Sequence, residues 1–170
     1  MSAPEFSRRF DVRQSEGKQL TLTANDAERA ALATRFGLVR IERLEAEVLL
    51  RRIDDAVEAT GQLDAEIVQS CAVSGEDLPV TVSEPLTLRF VPAATIQMSE
   101  EEIELDPDAS DEIEYSGSEF DLGEAVAQSL ALAIDPFAVG PEAEEARRRA
   151  GLQSEGETGA FAALKGLLKK

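Results

Sequence analysis

Val39-Arg40-Ile41-Glu42-Arg43-Leu44-Glu45-Ala46-Glu47-Val48-Leu49-Leu50-Arg51 decides the fold. Ile41, Leu44, Ala46, Val48 and Leu50 are apolar and alternate with charged residues. The period of two is that of a strand with one face buried and one in water. The alternation slips by one residue near Arg43, which a β-bulge absorbs by opposing two residues to one.

Downstream, Val57, Ala59, Leu63, Ala65, Ile67 and Val68 describe a second strand, with Gly61 expected to mark a turn or bulge. Ser74-Gly75-Glu76-Asp77 is rich in turn formers, and Leu78, Val80, Val82, Leu86, Leu88 and Phe90 extend a third strand through Pro85. No helical crossover separates these runs, so an antiparallel meander is expected over 53–93.

Upstream, Phe6, Phe10 and Val12, then Leu20 and Leu22, suggest short strands. Asn25 or Asp26 can cap a helix over Ala27 to Phe36 by accepting hydrogen bonds from its free amides, and Gly37 suits its stop. A second helix is expected from Asp121 to about Ile134. Asp121 and Glu124 stand at capping-box spacing, Leu122, Val126, Leu130 and Ile134 recur every four residues, and Pro136 blocks continuation. The helix should bury these residues against the sheet. The reading is an α+β fold, an antiparallel sheet packed by one or two helices. Residues 1–137 form one domain, and 138–170 are a charged linker, with a short helix near 142–150, and an amphipathic tail.

Charge limits function. The chain has 34 acidic and 17 basic residues, a net charge of -17. Such a surface repels phosphates, so direct RNA binding requires a local cluster of arginines, with Arg8, Arg9, Arg13, Arg40, Arg43, Arg51, Arg52 and Arg147 to Arg149 as the candidates. Ser99 to Glu124 holds twelve acids and no base. Two readings stand side by side: a solvated, self-repelling acidic loop, or a docking surface for a basic protein, with Glu100, Glu101, Glu102, Glu104, Asp106 and Asp108 supplying charge. Phe161 and Leu164 of the tail are candidate apolar contacts for a partner.

Catalytic chemistry finds little purchase. The chain contains no histidine, one cysteine and no tryptophan, which removes histidine triads and His-containing metal sites and leaves a sugar-binding cleft poorly furnished. Neither a phosphate-binding loop nor a dinucleotide fingerprint occurs, and no calcium-loop spacing of oxygen ligands is found in the acidic stretch. Cys71, in a strand-like run, is expected to be a small buried residue, and alone it can neither form an intrachain disulfide nor hold zinc. No cofactor or metal is expected, and the chain is read as a binding protein, not an enzyme. Residues 1–13 carry no secretory pattern and the longest apolar run is too short to span a bilayer, so the expectation is a cytoplasmic protein.

Three segments carry a family likeness: Cys71-Ala72-Val73-Ser74-Gly75-Glu76-Asp77-Leu78-Pro79-Val80, the run Asp121 to Phe137 after Glu114-Tyr115-Ser116-Gly117, and the closing Gly159 to Lys165. In order and content they resemble the YceD family, the large ribosomal RNA subunit accumulation proteins. The resemblance implies a non-enzymatic factor of ribosome biogenesis that supports accumulation of the large-subunit ribosomal RNA. Asp121, Leu122, Gly123 and Glu124 with Gln128, Leu130 and Leu132 match the family's most recognisable segment, and their expected work is to cap and bury the helix. Many relatives carry a C-x-x-C where this chain has Cys71 followed by Ser74, so no metal site is carried over. The expected mechanism is an acidic adaptor that binds a basic ribosomal or assembly protein. The alternative is direct contact with ribosomal RNA through an arginine-containing face.

Overall fold

A computed structural model describes residues 3–93 and 111–151. The chain divides into two compact units. The larger is drawn from Met1–Gln69 and Pro79–Asp135, the smaller from Ser70–Leu78 and Pro136–Lys170.

In the larger unit a five-stranded sheet has the order β2 (Gln19–Thr23), β3 (Arg40–Ile53), β4 (Ala56–Ser70), β5 (Asp77–Pro92), β6 (Asp111–Tyr115). β2 and β4 both run antiparallel to β3, and the register of β3 against β4 shifts between Ile41 and Arg43, where the alternation slips. A tight turn at Asp54 and Asp55 joins β3 to β4, with Asp54 at φ 54°. A separate ribbon pairs β1 (Arg9–Asp11) with β7 (Glu119–Asp121).

The architecture is α+β, with one departure from the expected antiparallel sheet. β6 lies parallel to β5, with Leu88 opposite Asp111 and Phe90 opposite Ile113. Parallel neighbours need a connection of about a dozen residues or more, and 93–110 has that length. The acidic stretch is therefore not all loop. Asp111–Tyr115 forms a strand because Ile113 packs on the core and Tyr115 is buried, its hydroxyl donating to the Asp55 carbonyl.

Gly61 also departs from expectation. It sits inside β4 opposite Val48, and a Cβ there would come within 1.8 Å of the Glu47 carbonyl oxygen. The residue permits a close backbone approach instead of turning the chain.

Helix α1 (Asp26–Phe36) starts in a full capping box between Asn25 and Glu28, and ends at Gly37 in the left-handed conformation, φ 67°. Helix α2 (Leu122–Ala133) is capped by Asp121 and stops one residue short of the expected Ile134. Leu32 and Ala33 of α1, and Leu122, Val126 and Leu130 of α2, are buried with Leu44, Val48, Leu50, Leu63, Ile67 and Phe90 of the sheet. Each large apolar side chain so removed from water contributes about 1.5–3 kcal/mol. Phe120 completes the core by stacking on Phe90, ring centres 4.5 Å apart.

The smaller unit is held by main-chain bonds. Ala72 N–H donates to Ala138 at 2.9 Å, Cys71 N–H to Glu76 at 2.8 Å, and helix α3 (Ala143–Arg149) follows. Among the described residues no helix is long and apolar enough to cross a membrane.

Candidate functional site: an acidic sheet face and the family segment

Alternation along β3 and β4 places Leu44, Ala46, Val48, Leu63 and Ala65 in the core and Glu45, Glu47, Asp64 and Glu66 on the opposite, solvent-facing side. β6 adds exposed Glu112 and Glu114. Neither α1 nor α2 packs on this face, since their buried residues join the core on the other.

One pairing on this face runs against sheet energetics. Glu45 stands directly opposite Asp64, and like charges in cross-strand register are destabilising. Two contacts soften the repulsion. Arg43 donates to Glu45 at 3.0 Å while also reaching Glu66 at 3.3 Å, and Ser83 donates its hydroxyl to Asp64 at 2.7 Å. The face keeps an acidic surplus: Arg89 meets Glu112 at 3.7 Å, but Glu47 and Glu114 make no ion pair among the described residues. Sequence reading located the acids of 99–124 and missed this set, whose signal was the charged half of the β3 alternation itself.

Among the described residues, six of the ten arginines named as a possible RNA-binding set stand beside a carboxylate, Arg9 only loosely, at 3.9 Å from Glu119. Arg8 pairs with Glu28, Arg40 with Glu42, Arg43 with Glu45 and Glu66, Arg147 with Glu144 and Arg149 with Glu145. A phosphate would have to compete with these carboxylates for the guanidinium, although the more exposed pairs hold it only weakly.

The family-segment residues have structural surroundings. Asp121 accepts hydrogen bonds from Ser7 Oγ, from Arg8 N–H at 2.8 Å and from Glu124 N–H at 3.1 Å, fastening the start of α2 to the N-terminal segment just before β1. Gly123 lets that segment lie close, for a Cβ would fall 2.6 Å from the Phe6 oxygen and 2.8 Å from the Arg8 nitrogen. Leu122 and Leu130 are buried. Glu124 does not close the capping box. Its carboxylate takes both terminal nitrogens of Arg35, at 3.0 and 2.8 Å, and accepts from Gln128 at 3.1 Å. The bond to Arg35 holds the Glu124 carboxyl below its ordinary value, with Gln128 assisting.

Leu132 corrects the expectation that this segment is buried throughout. It is 83% exposed, because it falls on the side of α2 away from Leu122, Val126 and Leu130.

Cys71 is buried as expected, but in the turn that follows β4. Its sulfur faces the N–H groups of Ser74 at 3.3 Å, Gly140 at 3.3 Å and Val73 at 3.4 Å. Hydrogen bonds from the Ser74 side chain and amide, with the amides of Gly140 and Val73, bring the thiol down to about 6 against burial. Among the described residues no group of three His, Cys, Asp or Glu side chains is gathered to hold a metal ion. Glu100, Glu101, Glu102, Glu104, Asp106, Asp108, Phe161 and Leu164 lie outside the described residues.

Residues 59–168 match the family described as "Large ribosomal RNA subunit accumulation protein YceD". No curated protein and no solved structure matches the chain.

Proposed function

The chain belongs to the YceD family, and on that premise we propose that it supports accumulation of large-subunit ribosomal RNA by binding a basic ribosomal or ribosome-assembly protein. It acts as an acidic adaptor and not through catalysis by its own side chains. The observation that carries this reading is the disposition of charge. Exposed carboxylates of β3, β4 and β6 lie on a sheet face where neither α1 nor α2 packs, while six of the ten candidate arginines stand beside described carboxylates of the same chain.

Free ribosomal proteins are basic and bind RNA indiscriminately, so an acidic partner shields one until assembly and gains fast electrostatic encounter. Glu45, Glu47 and Asp64 offer one part of that surface. Glu100, Glu101, Glu102, Glu104, Asp106 and Asp108 supply the same chemistry in the chain between β5 and β6, and Phe161 and Leu164 supply apolar contacts.

Direct RNA contact fits less well, since it asks a chain of net charge -17 to present a basic face when several of its candidate arginines already stand beside carboxylates. The test is the ratio of large- to small-subunit ribosomal RNA in cells lacking the protein. The ratio should fall and return with the parent chain, but not with a chain whose Glu100, Glu101, Glu102 and Glu104 are serine. A ratio unchanged by loss of the protein would refute the proposal.

A further inference from the structure

A groove of about 380 Å³ opens on the larger unit between β5 and the last turn of α2. It is lined by the buried Leu86 and Leu88 of β5, by Ser129 and Leu132 of α2, and by the exposed Glu84 and Asp111. Leu132 is the most exposed large apolar side chain of the described residues, on a helix whose other leucines are in the core. A leucine left in water forgoes the burial that stabilises its neighbours, and at the edge of a groove it is available to pack against an apolar side chain of an occupant.

The charges around the groove share one sign. Neither Glu84 nor Asp111 is ion-paired among the described residues. Helix α2 has no basic residue in its last turn, so its own side chains do not offset the partial negative charge of its C-terminal carbonyls. An occupant must therefore bring a cation close to an apolar side chain. Pro85, which lacks an N–H, breaks the hydrogen-bonding edge of β5 at this point, so side chains and not a continued ladder would do the holding.

We propose that this groove receives a basic segment of the protein partner, seating one apolar side chain against Leu132 with lysine or arginine side chains of the same segment facing Glu84 and Asp111. The inference rests on the reading that the partner is basic, and adds the place where it is gripped.

The test uses the full chain and a fluorescent synthetic peptide alternating lysine with leucine, followed by anisotropy at rising salt, with a glutamate-leucine peptide as control. The parent should bind the basic peptide and not the acidic one. L132S should weaken binding roughly tenfold, and the E84Q/D111N pair should weaken it about threefold and flatten its salt dependence. V39S, which alters an exposed apolar residue outside the groove, should change nothing. All variants should keep the parent's thermal midpoint because the substituted side chains are exposed.

Equal affinity of L132S and parent would overturn the groove assignment, as would equal losses from V39S and L132S. Self-association of the chain that L132S abolishes would give the groove to a second copy and overturn it as well. Each of those results leaves the adaptor reading standing if a basic partner is still captured from cells, so the two can fail separately.

Discussion

Arg35 of α1 grips Glu124 of α2 with both terminal nitrogens, at 3.0 and 2.8 Å, while Nη1 also reaches Glu5 at 2.9 Å. The three residues come from the N-terminal segment and both helices of the larger unit, so one guanidinium ties together parts of the chain that are far apart in sequence. Side chains about a third exposed or less keep part of the Coulomb attraction from solvent. R35A should lower stability by about 1 kcal/mol, read as a lower denaturant midpoint with an unchanged slope.

The same pair makes stability pH-dependent. The folded Glu124 carboxyl titrates below its ordinary value because Arg35 binds the ionised form. The unfolded chain therefore holds the proton more tightly, and the stabilisation, complete above the ordinary carboxylate range, is lost as pH falls through the depressed folded value. Comparing acid denaturation of the parent and E124Q measures this, and the variant should show the shallower loss between neutral and acid pH.

Gly123 should tolerate no side chain. In G123A the new methyl would lie 2.6 Å from the Phe6 oxygen and 2.8 Å from the Arg8 nitrogen, both backbone atoms that cannot rotate away. The expected cost is about 2–3 kcal/mol, seen as a lower thermal midpoint. D121A removes the cap of α2 and the acceptor for Arg8 N–H, and should cost about 1–2 kcal/mol.

Cys71 should titrate near 6 in the folded chain, which ultraviolet thiolate absorbance detects directly, and near the ordinary thiol value when unfolded. Its folded value is lowered, so the thiolate stabilises the fold fully above the ordinary 9.0, and that contribution shrinks as pH falls and is gone below about 6. Alkylation should be slow despite the thiolate, because the sulfur is buried.

The alternation from Ile41 to Leu50 was legible because one buried face dictates a period of two, and even the bulge near Arg43 left its trace as a slipped phase. Helix ends were legible where a local cap sets them, as at Asn25, Gly37 and Asp121. Pairing partners were not. Nothing in Asp111 to Tyr115 announces that it lies parallel to β5, since that choice belongs to the distant Phe90 and Pro92. Gly61 misled for a related reason, as its absent side chain answers to Glu47 on the neighbouring strand. Leu132 looked like core by composition, and only the helical phase fixed by Leu122, Val126 and Leu130 turns it outward. The acidic sheet face emerged from adding strands that sequence reading considered one at a time.

The central claim is that the chain binds a basic protein and not RNA, and its most direct measurement is affinity capture of the tagged full-length protein from a native lysate, with and without nuclease. The account predicts recovery of one basic large-subunit ribosomal or assembly protein that resists nuclease and is lost when Glu100, Glu101, Glu102 and Glu104 are replaced by serine. Recovery of ribosomal RNA fragments with no such protein would contradict it.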